Sequence, residues 1–354
     1  MAISPYFADR PAAALAMIGI TAAVAIAMLA AWIGFATGAP DRAAATDVRP
    51  RVDADVEIPG EPIQPIPLDL AIDLRTAELG RRLFNDPRLS HRGTISCASC
   101  HAAEHDFAGD APATEEPPRR NATLDVPTIR NSWFSIAQFW DGRAATLEAQ
   151  VDFPLQSPDE MASSWPEVIG RLRADPDYLA AARAIGKEPL SPELVRASIA
   201  EYERSVVSSG SRFDAFLRGQ GDALSADEKA GYALFKQYGC SACHQGVAVG
   251  GNLFQRLGLF GDYFHDRGGP ITRADLGRYN VTGDESDRYV FKVPSLREAA
   301  LLPPYFHDGS VATLEAAIAT MARYQLGRKI PADDIRLIAA FLRSLPGTTA
   351  EARP

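Results

Sequence analysis

Cys97-Ala98-Ser99-Cys100-His101 recurs as Cys240-Ser241-Ala242-Cys243-His244, and the two stretches use every cysteine in the chain. In C-x-x-C-H each thiol can add across a vinyl group of haem, while the adjacent imidazole ligates the iron from the proximal side. Two intervening residues let one turn of chain reach both vinyls, so the next residue points at the metal. A four-cysteine zinc ribbon or a pair of redox dithiols would also use such cysteines. Neither needs a histidine directly after the second cysteine in both copies, so the spacing favours two covalently attached haem c groups.

The elements that must position these motifs read as helical and duplicated, giving an all-α fold class. Gly80-Arg81-Arg82-Leu83-Phe84 precedes the first motif as Gly231-Tyr232-Ala233-Leu234-Phe235 precedes the second. Val126-Pro127-Thr128-Ile129-Arg130 matches Val293-Pro294-Ser295-Leu296-Arg297. Phe139-Trp140-Asp141-Gly142 and Thr146-Leu147-Glu148 match Phe306-His307-Asp308-Gly309 and Thr313-Leu314-Glu315. The last two matches share an offset of 167 residues and the haem motifs are offset by 143, which predicts two halves of common descent with an insertion in the second. Helical spacing covers Trp165 to Ile185 and Ser191 to Val207, the latter opening on an N-cap serine followed by proline. Ser225 with Glu228 forms a capping-box pattern ahead of the second haem motif. Pro331 to Leu345 reads as an amphipathic helix with Ile335, Ile338, Phe341, Leu342 and Leu345 on one face.

Four segments follow: an N-terminal anchor or signal segment over 1–40, a tether over 41–69, a first haem c domain over 70–215 and a second over 216–354. Pro11 to Ala36 lacks charge and is long enough to span a bilayer, which favours an uncleaved transmembrane anchor over a secretory segment. Pro40 to about Pro67 is rich in Pro, Asp, Arg and Ala without helical periodicity, as a tether would be. The 354 residues, 46% apolar, can bury a sizeable core, and a net charge of −9 argues against a nucleic-acid surface. Haem attachment to C-x-x-C-H is expected outside the bacterial inner membrane, so cysteine usage points to the periplasm.

Taken in order, the haem motifs, the run Gln138–Ala144, Gln156-Ser157-Pro158-Asp159-Glu160-Met161, Pro304-Tyr305-Phe306-His307 and Met321 with Gln325-Leu326-Gly327 resemble the bacterial dihaem cytochrome c peroxidases. The resemblance covers about residues 75–345. It implies two cytochrome-c-like helical domains whose haems face a shared interface. The N-terminal haem would reduce hydrogen peroxide, and the C-terminal haem would take electrons from a small periplasmic donor, a cytochrome c or copper protein. A homodimer is also compatible with it.

On this reading His101 and His244 are the proximal iron ligands, and Met321 is the sixth ligand of the second haem, where a thioether raises reduction potential. Tyr324, one turn away, is the competing ligand. Cleaving the O–O bond needs a carboxyl group over the open iron face. The resemblance assigns that place to Glu160 with Gln156 assisting, and puts Trp140 between the haems. Asp125 falls where the family has a calcium ligand, completed by carbonyls near Val293-Pro294 and waters.

Many relatives keep a histidine on a loop after the first haem motif that blocks the peroxidatic iron until the other haem is reduced. Between Asp106 and Asp125 this chain has no His, Met or Lys, so the gate is expected to be missing. His91 and His105 read as surface or haem-edge residues, and His307 as a hydrogen-bonding residue near the inter-domain face. Two other classes compete with the peroxidase. A protein-modifying dihaem oxidase of the methylamine dehydrogenase maturation type would put Tyr324 on the iron. A dihaem electron carrier would need a sixth ligand on both haems and would have no use for Glu160.

Overall fold

The computed structural model describes residues 58–103 and 126–350. The 1–40 segment, most of the tether, His105, the gate loop and Asp125 lie outside the described residues. Among the described residues no helix is long and apolar enough to cross a membrane.

Short and medium helices connected by long loops make up the body. In chain order they are α1 (Leu74–Phe84), α2 (Leu147–Gln150), α3 (Asp152–Gln156), α4 (Trp165–Arg173), α5 (Pro176–Ala184), α6 (Pro192–Ser205), α7 (Arg212–Leu217) and α8 (Ala226–Tyr238). They continue as α9 (Tyr263–Arg267), α10 (Tyr279–Thr282), α11 (Leu314–Leu326) and α12 (Ala332–Leu342). Four three-residue strands pair antiparallel in twos: β1 (Val207–Ser209) with β4 (Thr348–Ala350), and β2 (Phe254–Arg256) with β3 (Val290–Lys292).

Local chemistry sets the helix starts. Asp73 caps α1 by accepting from Thr76 N, and Ser191 caps α6 by accepting from Leu194 N, with Pro192 supplying a preset φ at the first helical position. Ser225 and Glu228 close the expected reciprocal box at the start of α8. The continuous helical run expected over Trp165 to Ile185 is instead two helices. Pro176 disfavours a helical Asp175, whose carboxylate accepts from Asp177 N and starts α5 afresh.

Two apolar cores hold these elements. One joins α1 and the α4–α6 region through residues such as Leu83, Val168, Leu172, Tyr178, Val195 and Ile199. The other gathers Ile63, Phe213, Tyr232, Phe235, Ile338 and Phe341 from α7, α8, α12 and the end of the expected tether, which is packed into the core with Ile63 and Ile66 fully buried and is no free linker there. In each a glycine permits the closest helix approach. A Cβ on Gly80 would stand 1.8 Å from Ser198 O of α6, and one on Gly231 would stand 1.9 Å from Leu337 O of α12. Gly80→Ala and Gly231→Ala are therefore each expected to cost about 1–3 kcal/mol, the usual weight of overpacking. Gly170→Ala is the control, because a methyl there meets nothing within 4 Å and should stabilise α4 by about 0.5–1 kcal/mol. Urea midpoints for the three variants check the prediction.

Candidate functional site

Both cysteine motifs fold as the same tight turn. Cys97–Ser99 and Cys240–Ala242 are single 3₁₀ turns, in which His101 N donates to Cys97 O at 2.9 Å and His244 N to Cys240 O at 3.0 Å. Gly239 ends α8 at φ 93° and passes directly into Cys240. A compact turn of this kind brings two thiols and one imidazole to a single ligand. No two of the four cysteines form a disulfide. Burial pushes the Cys97 thiol up to about 12 and the Cys240 thiol up to about 11. Among the described residues no cysteine belongs to a cluster of ligand atoms close enough to share a metal ion.

The first motif opens on a cavity of about 100 Å³ walled by Phe84, Ile95, Leu155, Met161 and Ile199. Cys97, Cys100 and His101 form part of its lining, and Glu160 lies in the same wall. Thiols, imidazole and apolar walls fit a haem chemically. The room is less than the roughly 300 Å³ of an ordinary ligand pocket, so the walls must part for one.

Gln156 is not in this cavity. It closes α3 with its side chain exposed, because Leu155 takes the buried face of that short helix and turns the next residue to solvent. Gln150, at the end of α2, lines the cavity instead. Its Nε2 donates to Glu203 Oε1 at 2.8 Å. Glu203 is 4% exposed, and burial raises its carboxyl to about 8 despite the neighbouring Arg204 guanidinium, which is engaged by Glu148 and Glu201. Sequence reading missed both residues. Leu147, Val151 and Leu155, four apart, mark the buried stripe, and Gln150 adjoins it.

The second cavity is much larger, about 1130 Å³, and runs from Ser99 and Cys100 past Trp140 to Cys240, Cys243, His244 and Met321. It accommodates a haem with space remaining, and its wall contains polar atoms with nothing to bond. Trp140 Nε1 and Ser132 Oγ are buried without a hydrogen-bond partner, as is His244 Nδ1, although the Val249 and Pro294 backbone lies close to that ring. Burial brings the His244 imidazole down to about 4, keeping it in the neutral form that ligates iron.

Met321 lines this cavity and packs against the small cluster of Leu257, Tyr263, Phe264, Phe291 and Tyr324. Tyr324 is absent from the cavity wall, and its hydroxyl donates to Asp266 Oδ2 at 2.8 Å. Trp140 meets the His307 ring edge to face at 6.3 Å between centroids. His307 is buried and pairs through Nε2 with Asp275 Oδ1 at 2.8 Å. Asp275, His307 and Asp308 stand close enough to hold a cation together, yet Arg267 donates to Asp275 at 2.6 Å and to Asp308 at 2.7 Å, and its guanidinium supplies that charge. His91 lies exposed at the surface, 3.0 Å from Glu167.

Two identical thiol–imidazole turns, opening on cavities that share Cys100, define a helical protein built to hold two covalent haems. The profile of the di-haem cytochrome c peroxidase family matches residues 75–222. Cytochrome c551 peroxidase of Nitrosomonas europaea is 42% identical over 296 residues, covering 83% of this chain and 86% of that protein. Cytochrome c peroxidase Ccp of Escherichia coli is 44% identical over 296 residues, and the chain spans 63% of that relative's length. Among solved structures, a MauG-like protein associated with microbial copper homeostasis superposes with a TM-score of 0.66 at 31% identity, covering 82% of this chain and 95% of that one. The chain belongs to the di-haem cytochrome c peroxidase family, and is by that membership an oxidoreductase of the peroxidase type.

Proposed function

We propose that the protein reduces hydrogen peroxide to two waters, consuming two protons and two electrons that a small periplasmic cytochrome c or copper protein delivers. The observation that carries this reading is the placement of Glu160 and Gln150 in the wall that holds His101, with Met321 in the wall that holds His244. When bound, the haem irons supply peroxide coordination at the first site and electron entry at the second. Glu160 would move a proton from one oxygen of peroxide to the other, which leaves as water. Gln150, held by Glu203, orients the peroxide, a task first assigned to Gln156. Trp140 lies on the wall of the cavity that links the motifs and carries electrons between them.

Met321 rather than Tyr324 as the ligand of the second iron is supported by the Tyr324 hydroxyl being committed to Asp266, away from the cavity. That favours the peroxidase over the protein-modifying oxidase. Met321→Leu is expected to leave both haems attached, lower the potential of the second and slow electron entry, since attachment rests on Cys240 and Cys243 and potential on the axial sulfur. Optical spectroelectrochemistry reads both effects, and an unchanged ligand spectrum removes Met321 from the iron. Steady-state peroxide reduction with reduced donor tests the reading as a whole.

We also infer that residues 70–215 and 216–354 are two haem c domains descended from one unit. Matching geometry at an offset of 167 supports it: the antiparallel bridges Gln138↔Ala144 and Tyr305↔Val311, the left-handed Phe139 and Phe306 at φ 67° and 70°, and the helix caps Thr146 and Thr313. A periplasmic location follows from covalent haem attachment, with the apolar stretch Pro11 to Ala36 as anchor.

A further inference from the structure

The larger cavity contains a cation that the roles above do not use. Lys292, the last residue of β3, lies in its wall. The backbone fixes it there from two sides: Lys292 pairs with Phe254 across the β2–β3 ladder, and its N–H donates to Trp140 O at 2.8 Å. The side chain is enclosed by protein yet keeps some accessible area, because that area faces the cavity. Among the described residues its Nζ makes no hydrogen bond and no ion pair. A buried cation without a partner costs several kcal/mol, and Lys292 adjoins Trp140, whose buried indole N–H is likewise without an acceptor. Both side chains line the larger cavity, and an anion lodged there would give the charged one a partner.

We propose that Lys292 Nζ binds a propionate carboxylate of the haem attached at Cys240 and Cys243. The proposal rests on that haem lying in the larger cavity, and on no particular reaction. A haem brings two carboxylates into the protein, and the chemistry of one matches Lys292: a single negative charge, acceptor-only oxygens, and a fixed position once both vinyls are bonded. An ammonium there neutralises the propionate and thereby favours the reduced iron, since an unpaired negative charge near the metal stabilises its more positive oxidised form.

The test compares K292Q and K292R with the parent as holoproteins. Pyridine haemochrome spectra count attached haems, spectroelectrochemical titration gives the midpoint of each haem, and resonance Raman reads the propionate-bending bands. With two haems attached, K292Q should lower the midpoint of the second haem and shift one of its propionate bands. At the parent's midpoint the second haem should be roughly tenfold less reduced, the effect of a unit charge about 10 Å away at an effective dielectric constant of about 20. K292R keeps the charge and should restore most of the potential while moving the band, because a guanidinium presents a fork of donors in place of one ammonium. An unchanged second-haem midpoint and band in K292Q overturns the proposal, and so does a shift confined to the first haem. If K292Q does not retain both haems, K292R decides, and a parent-like propionate band there overturns it. Peroxide turnover is not a readout, so the proposal can fail while the peroxidase reading stands.

Discussion

Replacing Glu160 with alanine is expected to lower peroxide turnover by roughly 10²–10⁴-fold, the usual weight of one positioned acid–base group. Both haems should remain attached, because Cys97, Cys100 and His101 are untouched. The loss should fall on the chemical step and not on access. Glu160 lies in the wall of the first cavity, close enough to Cys97 for its charge to act on that thiol, and shortening it widens the cavity. Binding of cyanide, which needs an open iron but no proton relay between two oxygens, should therefore be as fast as in the parent or faster. Gln156→Ala should leave turnover unchanged, since that side chain is exposed. Full turnover in Glu160→Ala would transfer the role to Glu203, the buried acid in the same cavity wall, whose raised carboxyl can hold a proton near neutrality.

The haem motifs were legible because their chemistry is written in five consecutive residues. The caps at Ser191 and Ser225 were legible for the same reason: donor and acceptor lie within one turn, and tertiary contacts need not be known. The closing helix announced itself by period, and Ile338, Phe341, Leu342 and Leu345 are indeed buried. Where the reading failed, the deciding contact was remote. Gln150 and Gln156 both precede Glu160 on the same stretch, and only the break between α2 and α3 at Val151 determines which of them meets the cavity. Glu203 sits in a helix full of charged residues, and nothing local distinguishes it from Glu201, which pairs with Arg204. Lys292 follows the same rule, because a lysine in a three-residue strand reads as a solvated edge until the cavity behind it is known.

The fully oxidised protein is expected to react with peroxide without prior reduction of the second haem. If no side chain between Asp106 and Asp125 can ligate iron, the first haem has His101 on one side and water or nothing on the other, and oxidised protein should bind cyanide or azide at once. A gated enzyme would respond only after one-electron reduction, so the difference is between reaction and none. The other side chains that could close the iron are few among the described residues. His91 is exposed and bonded to Glu167, outside the first cavity. Met161 is the one thioether in that cavity's wall, and it is 5% exposed, packed in the core with Leu155 and Val168. Drawing its sulfur onto the iron would cost part of that packing, about 2–5 kcal/mol for a fully removed methionine side chain. An electron paramagnetic resonance spectrum of the oxidised protein decides between these cases. A high-spin signal from one haem beside a low-spin signal from the other is the expected result. Two low-spin haems would overturn it, with bis-histidine character at the first pointing to His91 or His105, and histidine–methionine character pointing to Met161.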